Sequence, residues 1–175
     1  MAVRHAALIA VLLAPPVAVL AQSAADLVAA RPTTARVLSA ADHDLFLKAY
    51  AAGAKGDWAT AMTLANQASD TTARQLLQWR YVLDRDGGAT FTEIDAMMKT
   101  AAAWPLKGTL QARAEAAIIP DSSGTSGMTP QQIVEWFTGR NPNSSIGRVR
   151  LGEALVATGD KDKGGPLIAR GWAEG

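Results

Sequence analysis

The sequence contains no cysteine in its 175 residues, so disulfides, thiolate metal sites and a lipid-modified N-terminal cysteine are excluded. Histidine is almost as scarce, because His43 is the single histidine after residue 21. A zinc site or a nucleophilic triad needs histidine beside further ligands or partners, and the sequence does not supply them. We therefore expect no cofactor, no metal site and no catalytic triad.

Sheet-forming patterns are also missing. The chain has only 3 phenylalanines and 2 tyrosines, and it lacks stretches in which β-branched residues alternate with polar ones. Alanine is instead the commonest residue. A chain of this length suffices for one domain with its own hydrophobic core. The sequence therefore predicts an all-α fold.

Neither sign of charge predominates. The chain has 17 Lys and Arg residues and 16 Asp and Glu residues, and without Arg4 the numbers are 16 and 16, a formal charge of zero. The two signs are interspersed along the chain, whereas a nucleic-acid-binding protein carries clustered Lys and Arg. We therefore expect no nucleic-acid partner.

Residues 1–21 differ in composition from the rest of the chain. Arg4 precedes an apolar segment, and small residues at the end of that segment provide a cleavage site after Ala21. The segment is shorter than the roughly 20 apolar residues of a membrane-spanning helix and contains Pro15 and Pro16, so an uncleaved anchor is the weaker interpretation. We predict a secretory signal peptide, whose removal leaves no stable membrane span.

The mature chain divides into a short leading part and a long helical part. Residues 22–38 are predicted to form a short helix from Ser23, which stops at Arg31 because a proline follows, and then a linker. Residues 39–175 are predicted to form a helical-repeat domain.

Two Gly-Asp pairs punctuate this domain. Gly56 can adopt the left-handed turn that ends a helix, and Asp57 can accept a hydrogen bond from a free N–H at the start of the next one. The same pair recurs as Gly159 and Asp160. Helices joined this closely must turn back on each other. The pattern predicts antiparallel helical hairpins stacked as an α-solenoid or superhelix.

Further capping signals divide the domain into about eight helices with short connections. The first begins at Ser39, where Asp42 is placed to complete a capping box. The segment from Asp121 to Gly127 is predicted to be a flexible loop, either a lineage insertion or an engineered join. The other helices are predicted to begin near Asp70, Thr90, Leu106, Thr129 and Ser144 or Ser145.

We assign no residue of the chain a catalytic role. His43 is most simply a surface residue in a first helical turn. Glu93 has a capping function and Glu174 lies at the chain end. A carboxyl group that cleaves sugars needs an apolar cleft or a partner that shifts its pKa. The remaining mid-helix glutamates are expected to be solvated or paired, and hence structural: Glu115, Glu135 and Glu153.

The chain is rich in tryptophan although it is otherwise poor in aromatic residues. Tryptophan can stack on sugar rings or anchor a partner, but large rings at helical spacing usually fill the space between helices. We expect packing for most of them, including Trp172 on the last helix. Trp136 is expected to be exposed, because it precedes Phe137 and adjacent helical residues point in different directions. The five are Trp58, Trp79, Trp104, Trp136 and Trp172.

Taken together, these features resemble the N-terminal helical superhelix of soluble lytic transglycosylases, which are periplasmic enzymes of Gram-negative cell walls. The resemblance covers about Ser39 to Gly175 and rests on the order and spacing of individually weak motifs. These are Gly56-Asp57-Trp58 with Ala61 and Ala65, Leu76-Leu77-Gln78-Trp79-Arg80, Phe91 through Trp104-Pro105, Ala114-Glu115, Ile133 with Trp136-Phe137, and Leu151 with Glu153-Ala154-Leu155 before Gly159-Asp160.

The resemblance implies cleavage of peptidoglycan between N-acetylmuramic acid and N-acetylglucosamine, with a 1,6-anhydro product. In that family a separate lysozyme-like domain, C-terminal to the superhelix, supplies a glutamate followed by serine. No glutamate precedes serine in this chain. We therefore expect a chain that stops within a longer array, lacks the catalytic domain and is inactive alone. The implied partners are glycan strands and that missing domain.

Two further interpretations stay open. A free-standing periplasmic adaptor, built like tetratricopeptide repeats, would bind proteins instead of glycan on its concave face. A nonfunctional remnant would expose the apolar end of an interrupted array and aggregate.

Overall fold

The computed structural model describes residues 37–175, of which Leu38–Gly175 form one compact unit. The predicted signal peptide, residues 1–21, and the helix predicted from Ser23 to Arg31 lie outside the described residues. Within 37–175 the chain is helical and forms no strand beyond one isolated bridge, which confirms the all-α prediction there. The helices are α1 Ala40–Gly53, α2 Trp58–Gln67, α3 Thr71–Leu83, α4 Phe91–Thr100, α5 Lys107–Ala117, α6 Pro130–Trp136, α7 Ser145–Ala157 and α8 Lys161–Glu174.

The helices contact one another in a regular order. Each packs against the next in sequence except α5 and α6, which the loop of residues 118–129 separates. In addition, α1 contacts α3, α3 contacts α5, and α5 contacts α7. The odd-numbered helices therefore make a continuous series of contacts, and each even-numbered helix packs beside it. None of the described helices is long and apolar enough to cross a membrane.

The turn between α1 and α2 is built as the sequence predicts. Gly56 has φ +79°, and the Asp57 side chain accepts a hydrogen bond from a backbone N–H in the first turn of α2. Trp58 lies so close to Gly53 that a Cβ added there would be 2.9 Å from the ring. The indole Nε1 donates to Asp84 at 2.7 Å. This turn thus ties α1 and α2 to the end of α3.

Two groups of buried side chains form the core. The first joins α1, α2 and α3, and the second joins helices α3 to α7. The first group consists of Phe46, Ala49, Trp58, Ala61, Ala65, Ala68 and Leu77. The second consists of Val82, Ala89, Ile94, Met97, Ala101, Leu110, Ala114, Ile118, Ile133, Trp136, Phe137 and Ala154.

The last two helices pack through glycines. Gly159 has φ +103°, and Asp160 caps α8 as Asp57 caps α2. A Cβ added at Gly152 would lie 2.8 Å from the carbonyl oxygen of Gly164, and one added at Gly164 would lie 2.5 Å from that of Gly152. A Cβ at Gly171 would meet the α7 backbone at 2.8 Å. The backbones of α7 and α8 therefore approach too closely for larger residues.

Most predicted helix starts are confirmed by their caps. Thr90 with Glu93, and Thr129 with Gln132, form complete capping boxes. The exception is α5, which has no side-chain cap. The residue before it, Leu106, has a left-handed backbone conformation with φ 61°. The N-cap side chains that accept from a first-turn N–H are Ser39, Asp57, Asp70, Thr90, Thr129, Ser144 and Asp160.

The prediction that Asp42 completes a capping box with Ser39 is wrong. The Asp42 carboxylate is buried and turns to the α2–α3 connection, where it accepts from the backbone N–H and hydroxyl of Ser69 at 2.9 and 2.8 Å and from the N–H of Asp70 at 3.1 Å. The hydrogen bonds from Ser69 lower the pKa of Asp42. Asp42 therefore fixes α1 to the start of α3.

Two predictions about tryptophan are also wrong. Trp136 is only 8% exposed, because its ring packs against Phe91 and its indole donates to Asp95, both on α4. Phe137 continues the helical geometry and also lies in the core. Trp172 is 74% exposed. The buried residues of α8 are Gly164 and Gly171, and the adjacent Trp172 projects to one side of that contact.

Candidate functional site

A groove of about 730 Å³ lies where the α3–α4 turn, the C-terminal half of α5 and the loop of residues 119–128 meet. We call it the arginine groove, because its charged lining residues are Arg85 and Arg113 and none of its described lining residues is acidic. Its walls also carry hydroxyl groups and apolar side chains, among them Thr92, Phe91 and Met128. Such a surface suits an anionic ligand that also has apolar parts.

Arg113 is held in place by the end of α3. Its Nη2 donates to the carbonyl oxygen of Asp84 at 2.6 Å, and its Nε donates to that of Val82 at 3.4 Å. The last carbonyls of a helix have no partner within the helix and attract cations. Arg113 therefore caps α3 and at the same time holds its guanidinium at the wall of the groove.

Arg85 is the less constrained of the two arginines. It is exposed in the α3–α4 turn and forms no ion pair with any described residue. Of the neighbouring carboxylates, Asp84 accepts from Trp58. The adjacent Asp86 is exposed and forms no ion pair with Arg85. The guanidinium of Arg85 is thus held by no ion pair among the described residues and is accessible to a ligand.

The loop opposite these arginines has its own hydrogen bonds, although the sequence predicted only flexibility for it. Asp121 accepts from the N–H and hydroxyl of Ser123 at 2.9 and 2.7 Å and from the N–H of Ser126 at 2.8 Å. These bonds, led by that from the Ser123 hydroxyl, lower the pKa of Asp121 to about 2. Backbone bonds from Asp121 to Met128 and from Met128 to Ile119 close the loop.

Glu115 contradicts the expectation of a solvated or ion-paired side chain. It is 0% exposed, and its carboxylate accepts from the N–H groups of Asn143 and Ser144 at 2.8 Å each, from Gln111 Nε2 at 2.9 Å and from the Ser144 hydroxyl. A Cβ at Gly147 would lie 2.3 Å from Glu115 Oε2, so a glycine is needed beside it. Both oxygens are occupied, and Glu115 acts as a structural link between α5 and α7.

The other candidates lie apart from one another. His43 is exposed, as predicted, and its Nδ1 lies 3.3 Å from the Asp44 carboxylate. Glu135 and Glu153 are exposed, and Glu174 pairs with Arg148 and Arg170 on α7 and α8. In the part of the chain that the structure describes, no group of three or more histidine or acidic side chains could hold a metal ion.

Trp58, Trp79 and Trp104 pack between helices as predicted, and Trp136 packs there too although it was predicted to be exposed. The rings of Trp79 and Trp104 meet edge to face, with centroids 5.8 Å apart. Trp136 packs in the same way against Phe91 at 5.4 Å and donates its Nε1 hydrogen to Asp95 at 2.8 Å. Phe91 therefore joins the core on one side and lines the arginine groove on the other.

Sequence reasoning did not single out Arg85 or Arg113. Each stands alone among residues of mixed charge, and no spacing rule relates a turn residue to one in the middle of a later helix. A search for helix ends followed by basic residues could have suggested Arg85 but not its partner.

Comparison of the chain with family models, with curated proteins and with solved structures found no match. The resemblance to lytic transglycosylases therefore rests on the sequence motifs, and the arginine groove rests on the geometry of this chain.

Proposed function

We propose that this chain is a periplasmic helical scaffold of a peptidoglycan lytic transglycosylase, which holds glycan strands near a lysozyme-like catalytic domain. The observation that carries the proposal is the order of helix contacts, in which successive helices pack together and the odd-numbered ones form a continuous series. Stacked helical hairpins of an α-solenoid make contacts of this kind, and their extended surfaces suit long polymeric ligands. The two Gly-Asp turns, at Gly56 and Gly159, repeat one construction.

The motifs behind the resemblance have structural roles that suit a scaffold. Trp58 and Asp57 build the first turn, Glu115 links α5 to α7, and Trp136 joins α6 to α4. In this proposal the bond cleavage belongs to the lysozyme-like domain, and the helical chain contributes binding and positioning.

Cosedimentation of the purified full chain with isolated peptidoglycan sacculi tests the proposal. We expect saturable binding to sacculi, no binding to cellulose particles, and no release of anhydro-muropeptides by the chain alone. Failure to sediment with sacculi would overturn the scaffold function. Release of anhydro-muropeptides by the chain alone would overturn the assignment of catalysis to a separate domain.

A second candidate is a protein-binding adaptor, which exposed apolar side chains on several helices favour. Leu47 on α1, Leu76 on α3 and Trp172 on α8 are all exposed. Exposed apolar residues are common singly, but tryptophan is enriched where proteins associate. An adaptor predicts no binding to sacculi and weaker binding to a protein partner when Trp172 is replaced by alanine, so the sedimentation experiment separates the two candidates.

A further inference from the structure

We infer that the arginine groove binds the carboxylates of a short peptide, namely the stem peptides that peptidoglycan glycan strands carry. The ligand class follows from the groove itself, while the source of the peptide rests on the proposed function.

The charge of the groove selects for carboxylates. Arg85 and Arg113 contribute two guanidinium groups, and none of the described lining residues is acidic. A guanidinium is planar and can donate two parallel hydrogen bonds to one carboxylate, which a neutral sugar cannot match. Because the α3 carbonyls already orient Arg113, little side-chain freedom is lost when a ligand binds there.

The size and the remaining walls favour a peptide over a small inorganic anion. The volume of about 730 Å³ lies within the range of roughly 300–1,000 Å³ found for pockets that hold organic ligands. Thr92 and Ser126 bring polar groups that can bind peptide amides, and Phe91 and Met128 offer apolar contacts for small side chains. A small inorganic anion would make no contact with these apolar side chains.

Titration calorimetry on the full chain tests the ligand class with three probes. They are N-acetylmuramyl-L-alanyl-D-glutamate, the same compound with both carboxylates amidated, and an N-acetylglucosamine tetramer. We expect the free acid to bind about tenfold or more tightly than the amide, as charge-assisted hydrogen bonds to arginine imply. We also expect its affinity to fall as salt is raised. Equal affinity of the acid and the amide would overturn the inference.

Replacement of Arg85 tests the site. Arg85→Gln removes an exposed charge that has no ion-pair partner among the described residues, so it should leave the melting temperature unchanged. It should lower the affinity for the free acid about tenfold. The matched control is Arg74→Gln on α3, outside the groove, for which affinity should stay within about twofold of the parent. Arg113→Lys keeps the positive charge but loses the planar guanidinium with its parallel N–H donors. It should also lower the affinity for the free acid.

The outcomes also separate this inference from the proposed function. If the parent and Arg85→Gln chains sediment equally with sacculi and bind the free acid equally, the groove assignment fails while the scaffold function stands. If neither chain sediments with sacculi but the parent binds the free acid more tightly than Arg85→Gln does, the scaffold function fails while the carboxylate-binding groove stands. Equal competition by an unrelated L-peptide of the same charge would overturn the stem-peptide assignment in favour of a protein ligand.

Discussion

Replacing Glu115 is the sharpest test of how the chain is held together. Glu115→Ala removes the acceptor of three donors that the fold keeps close to one another: the N–H groups of Asn143 and Ser144 and the Ser144 hydroxyl. A buried donor left without a partner costs about 1–3 kcal/mol. Because these groups are only partly buried and water can enter the vacated space, we take the lower part of that range for each.

The expected loss for Glu115→Ala is therefore about 3–4 kcal/mol of unfolding free energy. At about 3 °C per kcal/mol for a unit of this size, the melting temperature should fall by about 10 °C. Glu115→Gln keeps the shape of the side chain but places an NH₂ group against donors that now bond to the carboxylate. It should lower the unfolding free energy by about 2 kcal/mol.

Urea unfolding followed by tryptophan fluorescence and circular dichroism measures these changes. The control is Glu135→Ala, whose side chain is exposed and should change stability by less than about 0.5 kcal/mol. A loss below about 1 kcal/mol for Glu115→Ala, with an unchanged denaturant slope, would refute the structural role of Glu115.

Three further outcomes are expected. Trp58→Ala should cost about 3–5 kcal/mol in urea unfolding, because it opens a cavity and leaves Asp84 without its indole donor. Gly152→Ala should lower the melting temperature by several degrees in calorimetry, because its methyl group would press on the α8 backbone. Asp42 has a lowered pKa when folded, so its contribution to stability is present above the ordinary value of 3.8 and is lost as pH falls through the folded pKa. As pH falls through the acidic range, the unfolding free energy of Asp42→Asn should therefore decrease less steeply than that of the parent chain.

Each of these predictions has a contrasting result. Unchanged melting of Trp58→Ala would contradict the packing of the first turn. Gly165→Ala is the control for Gly152→Ala, since nothing lies within 4 Å of a Cβ at Gly165, and equal effects of the two would contradict the close α7–α8 contact. The same acid profile for Asp42→Asn and the parent chain would contradict the role of the Ser69 hydrogen bonds.

Local hydrogen bonding explains which parts of the fold could be predicted. A capping side chain reaches only three residues along the chain, so the starts of α4 and α6 at Thr90 and Thr129 follow from residue order alone. The left-handed turns at Gly56 and Gly159 are equally local, because glycine adopts positive φ without steric cost.

Residues that bond across the fold could not be predicted in this way. Asp42 has the spacing of a capping box, but the N–H groups of Ser69 and Asp70 compete for its carboxylate after α1, α2 and α3 have packed. Glu115 looks like any mid-helix glutamate until the start of α7 is placed over it. The arginine groove likewise exists only once Arg113 is fixed at the end of α3.

The sequence by itself determined the helical class, most helix starts and the two Gly-Asp turns, because these depend on conformational preferences and hydrogen bonds between near neighbours. Only the tertiary structure decided which side chains are buried. Periodicity says which residues share a helix face. The close glycine contact of α7 and α8 nevertheless leaves Trp172 exposed, and contacts with Phe91 and Asp95 on α4 place Trp136 in the core. Both outcomes depend on partners that are distant in the chain.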